Sequence, residues 1–169
     1  DPVIGDDNKI FVKRGVLSAV RDILLPKADF VVPNKSELFW LSGQAVDDTS
    51  TMISAARKLL QNGPRAIFVT GLVEDKQIAN YAINRIGVWR AAGRYIDKKF
   101  NGTGDFFSAL VTGLLLNGYD VPDLLSIATS ACELLTLKTK KRGTKELAVV
   151  PSLQELNLEK IGVSVEKIV

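Results

Sequence analysis

Asn101-Gly102-Thr103-Gly104-Asp105 is where residue types and spacing in this chain come nearest to chemistry. Two glycines flank a threonine, a carboxylate follows at once, and an apolar segment of helical length runs on through about Leu116. Gly102 and Gly104 permit a tight backbone path with little side-chain obstruction. A helix starting there presents free backbone N–H groups at its N-terminus, where the dipole favours an anion. Asp105, in the first turn, would be repelled by a bound phosphate unless it has a task there, such as accepting a proton from an attacking hydroxyl. Read by itself, the pattern is also an ordinary helix start, with threonine or aspartate at the cap and glycine before it.

Two further stretches carry polar groups in suggestive places. Asn34-Lys35-Ser36-Glu37 sets an amide and a carboxylate three residues apart at the start of a helical pattern. On a helix they share a face, so both can reach one metal-bound water. Magnesium keeps several waters and takes one or two carboxylates beside phosphate oxygens. A capped helix start with an early glutamate is the plainer reading. Asp1-Pro2-Val3-Ile4-Gly5-Asp6 reads as a strand end entering a loop, either a seat for a hydrated cation or an Asp/Gly turn.

Composition narrows the classes. The chain has 169 residues, 46% hydrophobic and 24% charged, which suits one globular domain or a piece of a larger one. We read residues 1–169 as a single domain. The net charge of +3 is too mild to imply nucleic acid. With no histidine in the chain, Ser-His-Asp and Cys-His catalysis and His-containing zinc sites are excluded. The single cysteine, Cys132, lies in an apolar helical pattern and reads as a buried small hydrophobe in a reducing compartment. The apolar run at residues 106–116 is too short to span a bilayer. No signal peptide is visible, and the opening Asp1-Pro2-Val3 leads to the expectation that the chain begins inside a longer protein.

Around these stretches the elements alternate. Helical spacing covers residues 15–25, stopped by Pro26, then 35–41 and 49–61, the last ended by Gly63-Pro64. Strand patterns occupy residues 28–32 and 66–70, with Gly71 as a break. Residues 77–96 read as less regular strands, compatible with antiparallel edges. A last helix starts at Asp120-Val121-Pro122 and ends in the basic run Lys138 to Arg142, which its dipole favours. The tail from Pro151 has no readable pattern. This alternation indicates an α/β fold with a mostly parallel central sheet and helices on both faces, whose ligands gather beyond the C-terminal ends of the strands. The loops holding Asp1–Asp6, Asn34–Glu37, Thr70-Gly71 and Asn101–Asp105 all follow predicted strands, so the pattern predicts a shared rim.

Three motifs, Asp1-Pro2-Val3-Ile4-Gly5-Asp6, Pro33-Asn34-Lys35-Ser36-Glu37 and Gly102-Thr103-Gly104-Asp105, stand in the order found in ribokinase-like small-molecule kinases. Leu25-Pro26-Lys27-Ala28-Asp29 before the second motif strengthens the resemblance, which is nearest to the pyridoxal kinases and covers most of residues 1–137. It implies a three-layer αβα ribokinase-like fold whose N-terminal part is missing here. It also implies transfer of the γ-phosphoryl of ATP to the primary hydroxyl of pyridoxal or a related B6 vitamer. By the resemblance Asp105 is the base, and Gly102, Thr103 and Gly104 form the anion hole. Asn34 and Glu37 position magnesium and its waters, Asp1 and Asp6 lie near the phosphates and metal, and Thr70 with Gly71 contacts the nucleotide. The cofactors implied are ATP, Mg2+ and a monovalent cation, usually K+. The implied partners are the small-molecule substrate and a second subunit in a full-length homodimer, without nucleic acid or membrane, in the cytoplasm.

Two departures stand beside it. Val32 replaces a threonine common in such kinases, and Lys35-Ser36 replaces the usual residues inside the second motif. Alternatives are a ribokinase-like kinase of hydroxymethylpyrimidine or of a sugar, and a non-catalytic fragment that binds nucleotide or a partner. The pyrimidine kinases usually carry cysteine in place of Asp105. The unpaired sheet edges of a truncated fold favour the non-catalytic fragment.

Overall fold

A computed structural model describes residues 1–169. Its elements are β1 (Gly5–Asp6), β2 (Lys9–Ile10), α1 (Arg14–Ala19), β3 (Phe30–Val31), α2 (Lys35–Ser42), α3 (Thr49–Leu60), β4 (Ala66–Glu74), β5 (Gln77–Asn84), β6 (Val88–Arg94), α4 (Thr103–Leu116), α5 (Val121–Arg142) and β7 (Val165–Lys167). Five strands form one sheet in the order β3-β4-β5-β6-β7, and β1 and β2 form a separate antiparallel pair. The α/β class read from the sequence is present. The parallel pairing is between β3 and β4, with Phe30 opposite Ala66 and Val31 opposite Ile67. From β4 to β6 the sheet continues through tight hairpins, which only antiparallel neighbours can form, so the sheet is mixed.

By compactness the chain divides into two units. The first comprises Asp1–Leu72, Tyr81–Trp89 and Lys167–Val169, and the second Val73–Asn80 and Arg90–Glu166. In the first unit, α3 shows why local sequence and packing agree. Its buried residues Met52, Ala55, Ala56, Leu59 and Leu60 recur at helical spacing and form one stripe. Asp48 caps the helix by accepting from Thr51 N at 2.7 Å. Helix α2 packs against α3. The first predicted helix is less regular than its periodicity implies. After Ala19 the chain passes through a π-helical turn, Val20–Leu24, and a 3-10 turn, Leu25–Lys27. Pro26 sits at the start of that last turn, where its missing N–H leaves no bond unmade.

Gly71 does not end β4. It takes φ +78 inside the strand, which runs on as far as Glu74. A glycine absorbs such a kink without breaking the strand, as at a bulge. Asp75 and Lys76 then turn the chain with φ 44 and 62, the backbone of a type I′ hairpin. In the second unit, α4 packs against α5. Helix α5 is capped by Asp120, which accepts from Asp123 N at 2.9 Å, and it ends at Gly143 in the left-handed conformation. The tail that the sequence left unplaced contributes a 3-10 segment, Val150–Glu155, and the strand β7. No helix is long and apolar enough to cross a membrane.

Candidate functional site

In the first unit, Asn34 is the N-cap of α2, and the capping box there is complete. Asn34 Oδ1 accepts from Glu37 N at 2.9 Å, and Glu37 Oε2 accepts from Asn34 N at 2.9 Å. Both side chains also reach outward to the 1–6 segment. Glu37 Oε1 accepts from Ile4 N at 2.8 Å, and Asn34 Nδ2 donates to Gly5 O at 2.8 Å. Asn8 N donates to Ser36 Oγ at 3.1 Å, so the β1–β2 turn is tied to the same helix end. Gly5 is required by close approach: a Cβ there would stand 2.2 Å from Lys9 O and 2.8 Å from the Trp40 ring. A parallel bridge joins Asn34 to Thr70, whose N–H donates to Pro33 O at 3.0 Å. Asn34, Glu37, Thr70 and the Asp1–Asp6 segment, named separately from sequence, are therefore gathered by backbone and side-chain bonds.

The roles are not equal. Glu37 is only 3% exposed, and both its oxygens accept backbone N–H groups. Two amides thus satisfy the oxygens of this buried carboxylate. Asp1 and Asp6 are exposed.

In the second unit, Gly102 takes φ +88 and ψ 5 as the N-cap of α4, a left-handed conformation that glycine adopts without strain. Phe106 N donates to Gly102 O at 3.0 Å, the first bond of the helix. The amides of Thr103, Gly104 and Asp105 precede that bond and belong to the N-terminal set that a helix leaves unmatched. No side chain caps this end. A Cβ on Gly104 would meet nothing within 4 Å, so the turn is bare on that side. Asp105 is exposed, and its Oδ2 lies 4.0 Å from where a Gly102 Cβ would be. The carboxylate thus folds back over the turn rather than into packed side chains. The helix begins at Thr103, so the motif itself forms the first turn.

Sequence reading missed the neighbours of this turn. Asn101 forms a parallel bridge with Glu146. Its N–H donates to Lys145 O at 2.9 Å, its C=O accepts from Leu147 N at 3.0 Å, and its Nδ2 donates to Glu146 Oε1 at 2.7 Å. A single bridge between residues 45 apart leaves no periodic pattern in the sequence, so only the fold reveals it.

Magnesium fits only as an ion held mainly by a ligand's phosphates and water. No group of three or more His, Cys, Asp or Glu side chains could hold a metal ion. Glu37 is closed off, Asp1 and Asp6 are exposed carboxylates of the same segment, and one or two carboxylates are what magnesium takes beside phosphate. Val32 is buried and offers no side-chain oxygen to a monovalent cation. Cys132 is buried, and desolvation pushes its thiol up to about 12, which excludes it as a nucleophile. A cavity of about 580 Å3 lined by Arg21, Asp22, Leu41, Lys58 and Asn62 contains none of the site residues.

The comparisons with known proteins bear on the family and the fold. The sequence model of a family described as phosphomethylpyrimidine kinase matches residues 1–145. A pyridoxal kinase of Rubrobacter xylanophilus is 34% identical over 162 residues, 92% of this chain and 56% of its own length. The solved pyridoxal kinase of Leishmania donovani, in complex with ADP and pyridoxine, superposes with a TM-score of 0.91 at 25% identity, over 100% of this chain and 61% of that one. The pyridoxal kinase of Entamoeba histolytica superposes with a TM-score of 0.90 at 24% identity, over 99% of this chain and 61% of that one. The chain therefore spans roughly three fifths of the length of these relatives. With a family match over most of its residues and the ribokinase-like fold of the pyridoxal kinases, the chain belongs to the phosphomethylpyrimidine kinase family.

Proposed function

We propose that the complete protein transfers the γ-phosphoryl group of ATP to the primary hydroxyl of pyridoxal and related B6 vitamers. Residues 1–169 serve as its nucleotide-binding portion. The single observation that carries this reading is the exposed Asp105 carboxylate folded over a helix start whose first amides have no internal partners. The relatives support the substrate class: several are pyridoxal kinases, and the Leishmania donovani enzyme binds ADP and pyridoxine.

In this reading the amides of Thr103, Gly104 and Asp105 receive the terminal phosphate, and they stabilise the charge that grows on its oxygens during in-line transfer. Asp105 accepts the proton of the attacking hydroxyl. Thr70 and Gly71 line the nucleotide side, and Asn34 orders the loop that carries Asp1 and Asp6. Magnesium supplies charge neutralisation on the phosphates when bound, with Asp6 and Asp1 as the carboxylates at hand. Glu37 supports that place from beneath by holding the backbone of Ile4 and Asn34. Potassium has no assigned side chain. A homodimer and a cytoplasmic location fit the reading; the buried single cysteine suits a reducing compartment.

The decisive experiment is a phosphotransfer assay of the full-length protein with Mg-ATP against pyridoxal, pyridoxine, pyridoxamine, hydroxymethylpyrimidine and a sugar panel. Preferential phosphorylation of the vitamers supports the proposal. The family description favours one second reading, a hydroxymethylpyrimidine kinase, which preference for the pyrimidine alcohol would establish. Nucleotide binding with no transfer to any alcohol would identify a non-catalytic binding protein.

A further inference from the structure

Thr139 lies near the end of α5, and although polar it is fully buried. Its hydroxyl donates to Leu135 O at 2.7 Å, the ordinary back-bond of a helical threonine. The same oxygen accepts from Ala148 N at 3.0 Å, which is not ordinary, because Ala148 belongs to the segment that follows the helix. That bond draws the returning chain onto α5. The three residues before Ala148 are those that grip Asn101: Lys145 through its C=O, Glu146 through its carboxylate and Leu147 through its N–H. Leu147 also faces the glycine turn, with its Cβ 3.8 Å from where a Gly102 Cβ would be.

We infer that residues 145–148, anchored by the Thr139 hydroxyl, are a strap that positions the phosphate-gripping turn. Thr139 and Glu146 are its positioning residues. The physical need is specific. Gly102 has the widest conformational freedom of any residue type and must be held at φ +88 for the first-turn amides to converge. Both backbone groups and the side chain of the preceding Asn101 are held by the strap, so the freedom of the turn is removed before a ligand arrives. An anion site organised in advance loses less entropy in the transition state than one that must be ordered during it. That the ligand is the phosphate of ATP rests on the kinase reading above; the hold of the strap on the turn does not.

The test compares Thr139→Val, which keeps the shape and removes the hydroxyl, with Thr139→Ser, which keeps the hydroxyl, both in the full-length protein. With Thr139→Val, kcat/KM for Mg-ATP is expected to fall ~10-fold while the KM of the alcohol is unchanged, and Thr139→Ser to recover to within ~2-fold of wild type. Amide exchange at Asn101 and Leu147 is expected to speed up in the valine variant and to be restored in the serine variant. Wild-type kinetics and exchange in a folded Thr139→Val protein overturn the inference, and so does equal impairment of both variants, which would point to methyl packing. If Thr139→Val does not fold, the exposed Glu146→Ala decides. Faster exchange at Asn101 with a loss of ~3-fold or more in kcat/KM for Mg-ATP supports the strap, and no change in either overturns it. Should the wild-type protein phosphorylate none of the alcohols, the kinase reading fails by itself. The exchange pattern across the three proteins then still decides whether the strap holds the turn.

Discussion

The two places where sequence predicted chemistry are built in opposite ways. Around Asn34 and Glu37 the polar side chains are turned inward, and each atom of the capping box meets a backbone partner. Around Gly102 the backbone is bare, the first amides of α4 have no side-chain cap, and Asp105 is open to solvent. A buried carboxylate held by two amides is costly to disturb and poorly placed to react. An exposed carboxylate above unmatched amides costs the fold little and is free to meet a ligand. The same residue chemistry, an acid near a helix start, thus serves as scaffold in one unit and, in the proposed function, as reactive group in the other.

The largest effect that would sharpen this contrast comes from Asp105→Asn in the full-length protein. Turnover is expected to fall by ~10²-fold or more, with nucleotide affinity and thermal stability near wild type, because the side chain is exposed. Isothermal titration with ADP beside steady-state assays separates the two quantities, and full turnover in the variant would break the contrast.

Glu37→Gln is the converse. An amide group cannot accept from both Ile4 N and Asn34 N, so about 1–3 kcal/mol of stability is expected to be lost. Thermal or urea unfolding measures it. If the variant keeps its stability yet loses activity as Asp105→Asn does, the scaffold role of Glu37 is wrong.

Gly104→Ala probes the bare turn itself. Nothing lies within 4 Å of the added methyl, and alanine favours a helix over glycine by up to ~1 kcal/mol, so the fold should be unharmed or slightly firmer. A methyl on the face where phosphate would dock is nonetheless expected to raise the KM for Mg-ATP. An unchanged KM would remove Gly104 from the anion site.

The smallest effect separates ordinary capping from the site. The Thr51 amide and hydroxyl hold the Asp48 carboxyl below its usual 3.8. A carboxylate with a depressed folded-state pKa contributes stability that is fully present above that usual value and is lost as pH falls through the folded-state pKa. Asp48→Asn should therefore flatten the acid limb of the stability–pH curve slightly and leave catalysis untouched. Urea unfolding between pH 2 and 6, roughly the range of carboxylate titration, is the check.

Local signals were legible wherever the deciding forces are local. The starts of α2, α3 and α5 follow from Asn34, Asp48 and Asp120, whose side chains bond residues three places on. The inward stripe of α3 follows from its spacing. Gly71 was misleading, because a glycine that breaks a pattern in sequence can kink a strand that goes on. Thr139 was invisible for a different reason: a threonine in a helix carries no sign that a distant amide will bond to it.

By itself, then, the sequence determined the order of the helices and of the strands from β3 to β6, the helix starts, the glycine turn with its neighbouring acid, and the kinase family these motifs resemble. All of these rest on residues within a few places of one another. Only the tertiary structure decided that Glu37 is engaged by the backbone of Ile4, that Thr70 bridges to Asn34, and that the segment after α5 returns to grip Asn101. Each of those is a hydrogen bond between residues far apart in the chain. Its partner is chosen by how packed elements bring donors and acceptors together, which no local spacing encodes.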